Sequence, residues 1–216
     1  MPRDLRRAQV LRVAQELFTA EGFHHVSMDD IADRAEVSKP VLYRHFPSKL
    51  DLYLTVVDAR GADLLSTVDA AIARVPDARA AISGVVLAYL EFVDHTGEAA
   101  ALLFESDVMH DPDVRARVER ATDLVTERLE QVLAEVPGLA AQPGAAAVLA
   151  PCLAAMAQQA ATRRLRGTDP ARVDARRTAA MVARLAWGGV RDFLPESSLP
   201  SAQGERSAAA ARTDLG

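Results

Sequence analysis

Residues 22–49 read GFHHVSMDDIADRAEVSKPVLYRHFPSK, and this stretch holds the start signals of two very short helices. Ser27 is a residue type that favours an N-cap, and Asp30 follows it three positions later. At that spacing the serine side chain can accept a backbone hydrogen bond while the carboxylate accepts one in return, which is the capping box of a helix start. We therefore predict a short helix that opens after Ser27 and ends at the turn through Glu36 and Val37.

The second short helix is delimited by a serine and two prolines. Ser38 supplies another N-cap, and Pro40 falls in the first helical turn, where a missing N–H costs little. Pro47 closes the segment, because the residue before a proline is driven out of helical geometry. The sequence thus predicts a helix over 39–46.

Two short helices joined by a tight turn, supported by a longer helix predicted at about 4–21, form a helix-turn-helix. In the second short helix, Leu42 and Phe46 stand four residues apart and would anchor it to the other two. The residues left on its outward side and at its end are Lys39, Pro40, Tyr43, Arg44 and His45. Arginine and lysine can donate to guanine, and tyrosine and histidine to phosphates. The alternative is an ordinary solvated helix face.

The same segment resembles a known family. Residues 7–54 are similar to the N-terminal DNA-binding domain of the TetR family of bacterial regulators, and the matching runs are Gly22-Phe23, Val26 to Ala32 and Val37 to Lys49. The resemblance implies an all-α homodimer with a divergent helical ligand-binding domain, whose last two helices usually form the dimer interface. The DNA contacts that it implies are Ser27, Ser38, Lys39, Pro40, Tyr43, Arg44, His45 and Lys49. The chain departs from the family at Glu36, where glycine is common, and a positive φ there would cost about 1 kcal/mol.

The rest of the chain predicts longer helices. Apolar residues recur with helical periodicity, and breaks that contain proline or glycine separate the segments. The predicted helices are 49–74, 78–95, 98–110, 112–136, 145–166 and 170–194. We therefore predict an all-α fold in which residues 1–50 form the three-helix DNA-binding domain, 51–194 form a larger helical bundle for effector binding and dimerisation, and 195–216 form a disordered tail.

The last two predicted helices, 145–166 and 170–194, are the candidates for the homodimer interface. The final helix is apolar nearly all round and needs cover on two sides, and the helix before it carries small alanines that allow close approach. The bulky side chains available to line an apolar effector pocket are Tyr89, Phe92, Phe104, Met109, Met156 and Trp187. The same residue types also build a plain hydrophobic core, which is the alternative interpretation.

Other classes of protein lack support in the sequence. It has no G-x-S-x-G, no glycine-rich phosphate loop and no H-E-x-x-H, so we predict neither an enzyme nor a metal or cofactor site. Cys152 is the single cysteine, and we predict an inert, buried thiol in a reducing, cytoplasmic setting. No apolar leader follows the first residues, and the stretch 145–161 falls short of the strongly apolar run that a membrane span needs.

The net charge of the whole chain is −5 at pH 7, which by itself argues against nucleic-acid binding. The argument changes when the charges of the two parts of the chain are counted separately. Residues 1–49 carry 8 basic and 7 acidic groups, whereas residues 50–216 carry 17 and 23, so the acidity belongs to the second part. The sequence therefore favours a repressor that binds a palindromic operator in double-stranded DNA and is released by a small, apolar effector. The alternative is a ligand- or redox-responsive helical bundle that acts through a protein partner.

Overall fold

The computed structural model describes residues 3–75, 77–167 and 173–191. Every regular element in this part of the chain is a helix, so the predicted all-α class is confirmed. The tail predicted for 195–216 lies outside the described residues.

The helices follow one another in the order that the sequence predicts, with short elements between the long ones. They are α1 Arg3–Glu21, α2 Met28–Arg34, α3 Lys39–His45, α4 Lys49–Ile72, α5 Ala78–Thr96, a 3-10 turn Gly97–Ala100, α6 Ala101–Phe104, α7 Pro112–Ala134, α8 Pro137–Ala140, α9 Ala145–Leu165 and α10 Ala175–Arg191.

The first three helices pack on one another at one end of a hydrophobic core that continues into the later helices. Val10 from α1, Ile31 from α2 and Leu42 from α3 are each fully buried in it. The tight turn between α2 and α3 passes through Glu36 at φ 52°, the left-handed conformation that the resemblance implies at this position. A non-glycine residue costs about 1 kcal/mol or more in that conformation. The side-chain amide of Gln9 donates to the Ala35 carbonyl at 3.0 Å and so ties the turn to α1.

Helix α4 connects the helix-turn-helix to the rest of the chain. Its first half packs on α1, and its length runs along α5 and α7. Gly61 lies at a close approach to α7, where an added Cβ would stand 2.9 Å from the Cβ of Ala121. Glycine is required here by close approach of the two helices, and the packing fixes α4 against the second part of the molecule.

The second part is a bundle with α5 in its middle. Helix α5 packs against α4, α9 and α10, and α7 lies across α4 and α9. Ion pairs link neighbouring helices at the edges: Arg117 pairs with Asp58, Arg128 Nε lies 2.6 Å from Asp69 Oδ1, and Arg164 Nε lies 2.6 Å from Asp94 Oδ1. The bundle thus holds α9 and α10 together on one side of α5.

The prediction of one continuous helix over 98–110 is wrong. The chain forms the 3-10 turn and the one-turn helix α6, and from Glu105 to Asp111 it follows turns and bends. Short polar side chains there compete with helical hydrogen bonding. The Ser106 hydroxyl accepts from the Val108 N–H at 3.1 Å, and the Asp111 carboxylate caps α7 by accepting from the Asp113 N–H at 2.9 Å.

The prediction that the last helix begins at residue 170 is also wrong for the residues that the structure describes. Residues 173 and 174 are not helical, and α10 begins at Ala175. The physical reason is a local cap, because the Asp174 carboxylate accepts from the Arg177 N–H at 3.2 Å. Residues 170–172 and 192–194 lie outside the described residues.

Candidate nucleic-acid interface

Helix α3 divides sharply into a buried and an exposed side. Leu42 is fully buried and Phe46, directly after the helix, is 2% exposed, as their spacing predicts. Tyr43 is 47% exposed, and Lys39, Pro40 and Arg44 on the outward side are also open to solvent, as is the predicted contact Ser38 directly before the helix. The fold therefore brings five of the eight predicted DNA contacts together along one exposed edge.

Two groups on this edge are available to a ligand. Ser38 occupies the N-cap position of α3, yet its hydroxyl makes no capping hydrogen bond. Arg44 is exposed and forms no ion pair with any residue that the structure describes. A hydroxyl and a guanidinium in this state can donate to phosphate or to a base edge without first breaking an internal bond.

Lys39 is held by a partner on α2. Its Nζ lies 2.7 Å from Asp29 Oδ2, and this hydrogen bond, followed by the charge of the carboxylate, raises the pKa of the lysine. Both side chains are 56% exposed. Because surface ion pairs of this kind are weak and screened by salt, a phosphate can replace the carboxylate as the partner of Lys39.

Ser27 serves helix α2 as the capping box predicts. Its hydroxyl accepts from the Asp30 N–H at 3.1 Å and donates to Asp30 Oδ2 at 2.6 Å, and its own N–H donates to the same oxygen at 2.8 Å. These bonds lower the pKa of Asp30, the side-chain bond most. The contact of Ser27 with DNA stays a prediction, but its hydroxyl is already committed to the cap.

Lys49 is half-buried at the start of α4 and reaches back to the loop between α1 and α2. Its Nζ donates to the Phe23 carbonyl at 2.8 Å and to the Val26 carbonyl at 2.9 Å. The same ammonium stands 4.2 Å from the centroid of the Phe23 ring. The geometry therefore makes Lys49 a clamp on this loop, with one N–H left for any phosphate.

A second contact to the same loop was not foreseen from the sequence. The Phe23 N–H donates to Asp107 Oδ2 at 3.1 Å, and the rings of His24 and His110 stack with their centroids 6.0 Å apart. The Tyr53 hydroxyl, on α4, lies 2.9 Å from the Ser106 hydroxyl. The segment that the sequence predicts as the end of a helix therefore joins the helix-turn-helix to the second part of the molecule.

The six predicted effector residues lie in different places. Tyr89 and Phe92 are 1% and 3% exposed, and both rings stand 6.0 Å from the ring of Phe104, the first stacked and the second edge-on. A cavity of about 590 Å³ lies between α5, α9 and α10, and Met156 is the one predicted residue on its wall. Met109 and Trp187 pack against the core away from that cavity.

The Tyr89 hydroxyl is buried without a hydrogen-bond partner among the described residues. Burial alone raises the pKa of this phenol well above its usual range, so the group is a neutral donor. A buried donor without an acceptor costs about 1–3 kcal/mol. A ligand oxygen that reached this hydroxyl would remove that cost.

Helices α9 and α10 leave an apolar face open. Val148 is 67% exposed, Met181 50% and Leu185 72%, and Cys152 is exposed on the same side of α9 as Val148. The prediction of a buried thiol is therefore wrong, because α9 turns Leu153 and its buried alanines toward the bundle instead. By length and composition alone helix α9 could cross a membrane, contrary to the sequence prediction for 145–161, and 28% of its most apolar window is buried.

The described part of the chain is helical, and its helix-turn-helix presents a hydroxyl, a tyrosine and an arginine on the exposed edge of the second helix. This is the arrangement of a DNA-binding regulator. Residues 10–56 match the family described as "Bacterial regulatory proteins, tetR family". The chain is 37% identical over 190 residues to the HTH-type transcriptional activator FasR of Mycolicibacterium smegmatis. The match covers 88% of this chain and 85% of FasR.

Two further comparisons agree. The HTH-type transcriptional regulator EthR of Mycolicibacterium smegmatis is 33% identical over 100 residues, 45% of this chain and 46% of EthR. The crystal structure of a TetR-like transcriptional regulator from Rhodococcus sp. RHA1 superposes with a TM-score of 0.69 at 25% identity, and covers 88% of this chain and 98% of that one. This chain belongs to the TetR family of bacterial transcriptional regulators, as the resemblance implies, and its relatives are regulators rather than enzymes.

Proposed function

We propose that this regulator binds a palindromic operator as a homodimer, with α3 of each subunit in the major groove. The single observation that carries the proposal is the exposed edge of α3, where the Ser38 hydroxyl and the Arg44 guanidinium have no internal partner among the described residues. Two-fold symmetry would set the half-sites about one helical turn apart, roughly 34–36 Å. Residues 1–50 act as the reading domain and 51–194 as the regulatory domain, in the cytoplasm where the DNA is.

The homodimer is proposed to form through α9 and α10. Their open face carries Val148, Met181 and Leu185, and such large exposed apolar groups on neighbouring helices are typical of an interface. A partner copy would cover this face by two-fold symmetry, since the same patch then meets itself. The same contact accounts for the apolar character of α9 without a membrane.

The effector is proposed to be a small, apolar molecule that binds in the regulatory domain. Two features support it: the cavity that Met156 lines between α5, α9 and α10, and the unsatisfied Tyr89 hydroxyl beside Phe92 and Phe104. Met109 and Trp187 stay predicted members of the binding site. Effector binding would release DNA only if the effector binds the released state more tightly than the DNA-bound state. Helix α4 and the contact between Phe23 and Asp107 are the routes that connect the two domains.

Tyr89→Phe should raise the free energy of unfolding by about 1 kcal/mol, because it removes a buried donor without an acceptor and keeps the ring. Tyr53→Phe is the matched control. Its hydroxyl has a partner at 2.9 Å in Ser106, so the control should lose about 0.5–1.5 kcal/mol. Urea unfolding of both variants measures the two changes. A loss of stability in Tyr89→Phe would mean that the hydroxyl is satisfied in solution.

The direction of regulation follows from where the operator lies. We propose repression as the first candidate, since a dimer across two major grooves blocks an overlapping promoter. Activation is the second candidate and is favoured by the name of FasR, an activator 37% identical to this chain. Transcription in vitro from the natural promoter, with and without the protein, separates the two by the sign of the change.

Footprinting of the DNA upstream of the gene tests the proposal as a whole. We expect a protected palindrome, and Arg44→Ala should weaken operator binding by about 1–3 kcal/mol while binding to a scrambled duplex changes little. Arg120→Ala removes the same charge from the exposed side of α7 and should leave both affinities unchanged. Equal losses on operator and scrambled DNA would make Arg44 a phosphate contact. No protection anywhere would favour the bundle that acts through a protein partner.

A further inference from the structure

Three arginines at the start of α1 form a cluster beside the end of α3. Arg3, Arg6 and Arg7 share one side of the helix, since residues three and four apart are neighbours on a helix surface. The Arg7 guanidinium stands 5.1 Å from the centroid of the ring of Phe46, the residue that follows α3. The first turns of α1 therefore lie against the C-terminal end of the predicted recognition helix.

The cluster is strongly cationic, because Asp4 is the only acidic residue among residues 3–15 of α1. The pKa of His45, at the end of α3, is lowered first by burial and then by the charges of four residues: Arg3, Arg44, Arg7 and Arg6. The exposed Asp4 lies in the same turn of α1 but forms no ion pair with these arginines among the described residues. None of the four arginines has an ion pair within the described ranges, whereas Arg12 further along α1 is paired with Glu16 at 2.7 Å.

Cations that outnumber the acidic groups around them repel one another, and an anion placed among them reduces the repulsion. When a recognition helix lies in the major groove, the phosphates that border the groove pass its ends. We propose that Arg3, Arg6 and Arg7 form a second DNA-contact site, which binds backbone phosphates next to the bases that α3 reads. This inference rests on the proposed operator binding, and assigns to α1 a part of the interface that lies outside the helix-turn-helix pair.

Contacts to phosphate add affinity without sequence preference, and each one adds about 0.9 to the slope of log affinity against log salt. The triple variant Arg3→Gln, Arg6→Gln, Arg7→Gln keeps helix-forming side chains of similar length. We expect it to bind operator and scrambled duplexes at least tenfold more weakly, by the same factor for both, with a slope lower by about 2–3 per subunit. Arg12→Gln, whose charge is already paired, is the matched control and should change neither quantity.

The full-length dimer is titrated with fluorescent duplexes between 50 and 300 mM salt. If the wild-type protein binds its operator and the triple variant binds with the same affinity and slope, the arginine site is refuted and the proposed function stands. If the wild-type protein does not bind, the proposed function itself fails. Should the triple variant not fold, Arg3→Gln alone replaces it, because Arg3 is exposed at the first residue of α1; its slope should fall by about 1 per subunit, and an unchanged slope refutes the site.

Discussion

Leu185→Glu should convert the dimer into monomers and weaken operator binding by at least 100-fold. Leu185 is 72% exposed on α10, in the open apolar face that also includes Met181. In a two-fold interface each substitution occurs twice, so two carboxylates would be brought close together in apolar surroundings. An unpaired buried charge costs about 3–5 kcal/mol, which corresponds to more than two orders of magnitude in a dissociation constant.

Analytical ultracentrifugation over a range of concentrations measures the dimer constant, and titration with operator measures the loss in DNA binding. Ala180→Glu is the control, since residue 180 is exposed on α10 and stands about 140° round the helix from residue 185. It adds the same charge outside the proposed interface and should leave the dimer intact. A dimer of unchanged affinity in Leu185→Glu would place the interface elsewhere and leave the apolar face of α9 and α10 without its proposed cover.

The dimer also connects the two reading helices. Each half-site alone offers only the contacts of one α3, so a monomer loses half of its phosphate and base contacts at once. In the dimer the second half-site is bound at a high effective concentration, provided that the spacing of the two α3 helices matches the operator. An effector that alters the spacing by a few ångströms therefore acts on the same quantity that Leu185→Glu removes entirely.

The short helices of the reading domain were predictable because their signals are local. Ser27 with Asp30 forms the capping box that its spacing indicates, and the exposed and buried residues of α3 fall where Leu42 and Phe46 require. Even the positive φ at Glu36 follows from the geometry of a tight turn. Each of these features depends on residues within a few positions of one another, and helix propensity and capping describe such features well.

The errors lie where distant segments meet. The sequence predicts that the helix continues through residue 110, because no glycine or proline lies between Gly97 and Pro112. Asp107, however, accepts from the Phe23 N–H, 84 positions earlier, and that contact favours a turn. Cys152 is exposed because the buried side of α9 is set by α5 and α7 rather than by its own composition. Periodicity shows that a helix has an apolar side, but it does not show which of two apolar sides meets the protein and which meets a second copy.

The effector site was also not predictable from the pattern of residue types along the chain. Aromatic residues such as Phe92 and Phe104 are equally suited to a pocket and to a packed core, and here they touch one another. The feature that distinguishes Tyr89 is its unsatisfied hydroxyl, which depends on every neighbour of that atom. No pattern of residues along the chain could have indicated it.

Lys49→Met should lower the free energy of unfolding by about 2–4 kcal/mol. Its ammonium donates to two carbonyls of the loop between α1 and α2, those of Phe23 and Val26, at 2.8 and 2.9 Å. Hydrogen bonds from a charged donor contribute about 1.5–3 kcal/mol each when buried, and the half-buried position of this ammonium reduces the sum of the two to about 2–4 kcal/mol. Methionine removes both bonds and keeps a side chain of similar size. The resemblance implies a DNA contact for this residue. Carbonyls and phosphates are both acceptors for an ammonium, and only the fold shows that two carbonyls lie within its reach.

Lys39→Met is the matched control, since Lys39 is 56% exposed and its described partner is the exposed carboxylate of Asp29. It should leave the unfolding midpoint in urea nearly unchanged and weaken DNA binding, whereas Lys49→Met should shift the midpoint strongly. The salt dependence of operator binding then separates the two roles of Lys49. A wild-type midpoint combined with a slope lower by about one per subunit would make Lys49 a phosphate contact and not the clamp of this loop.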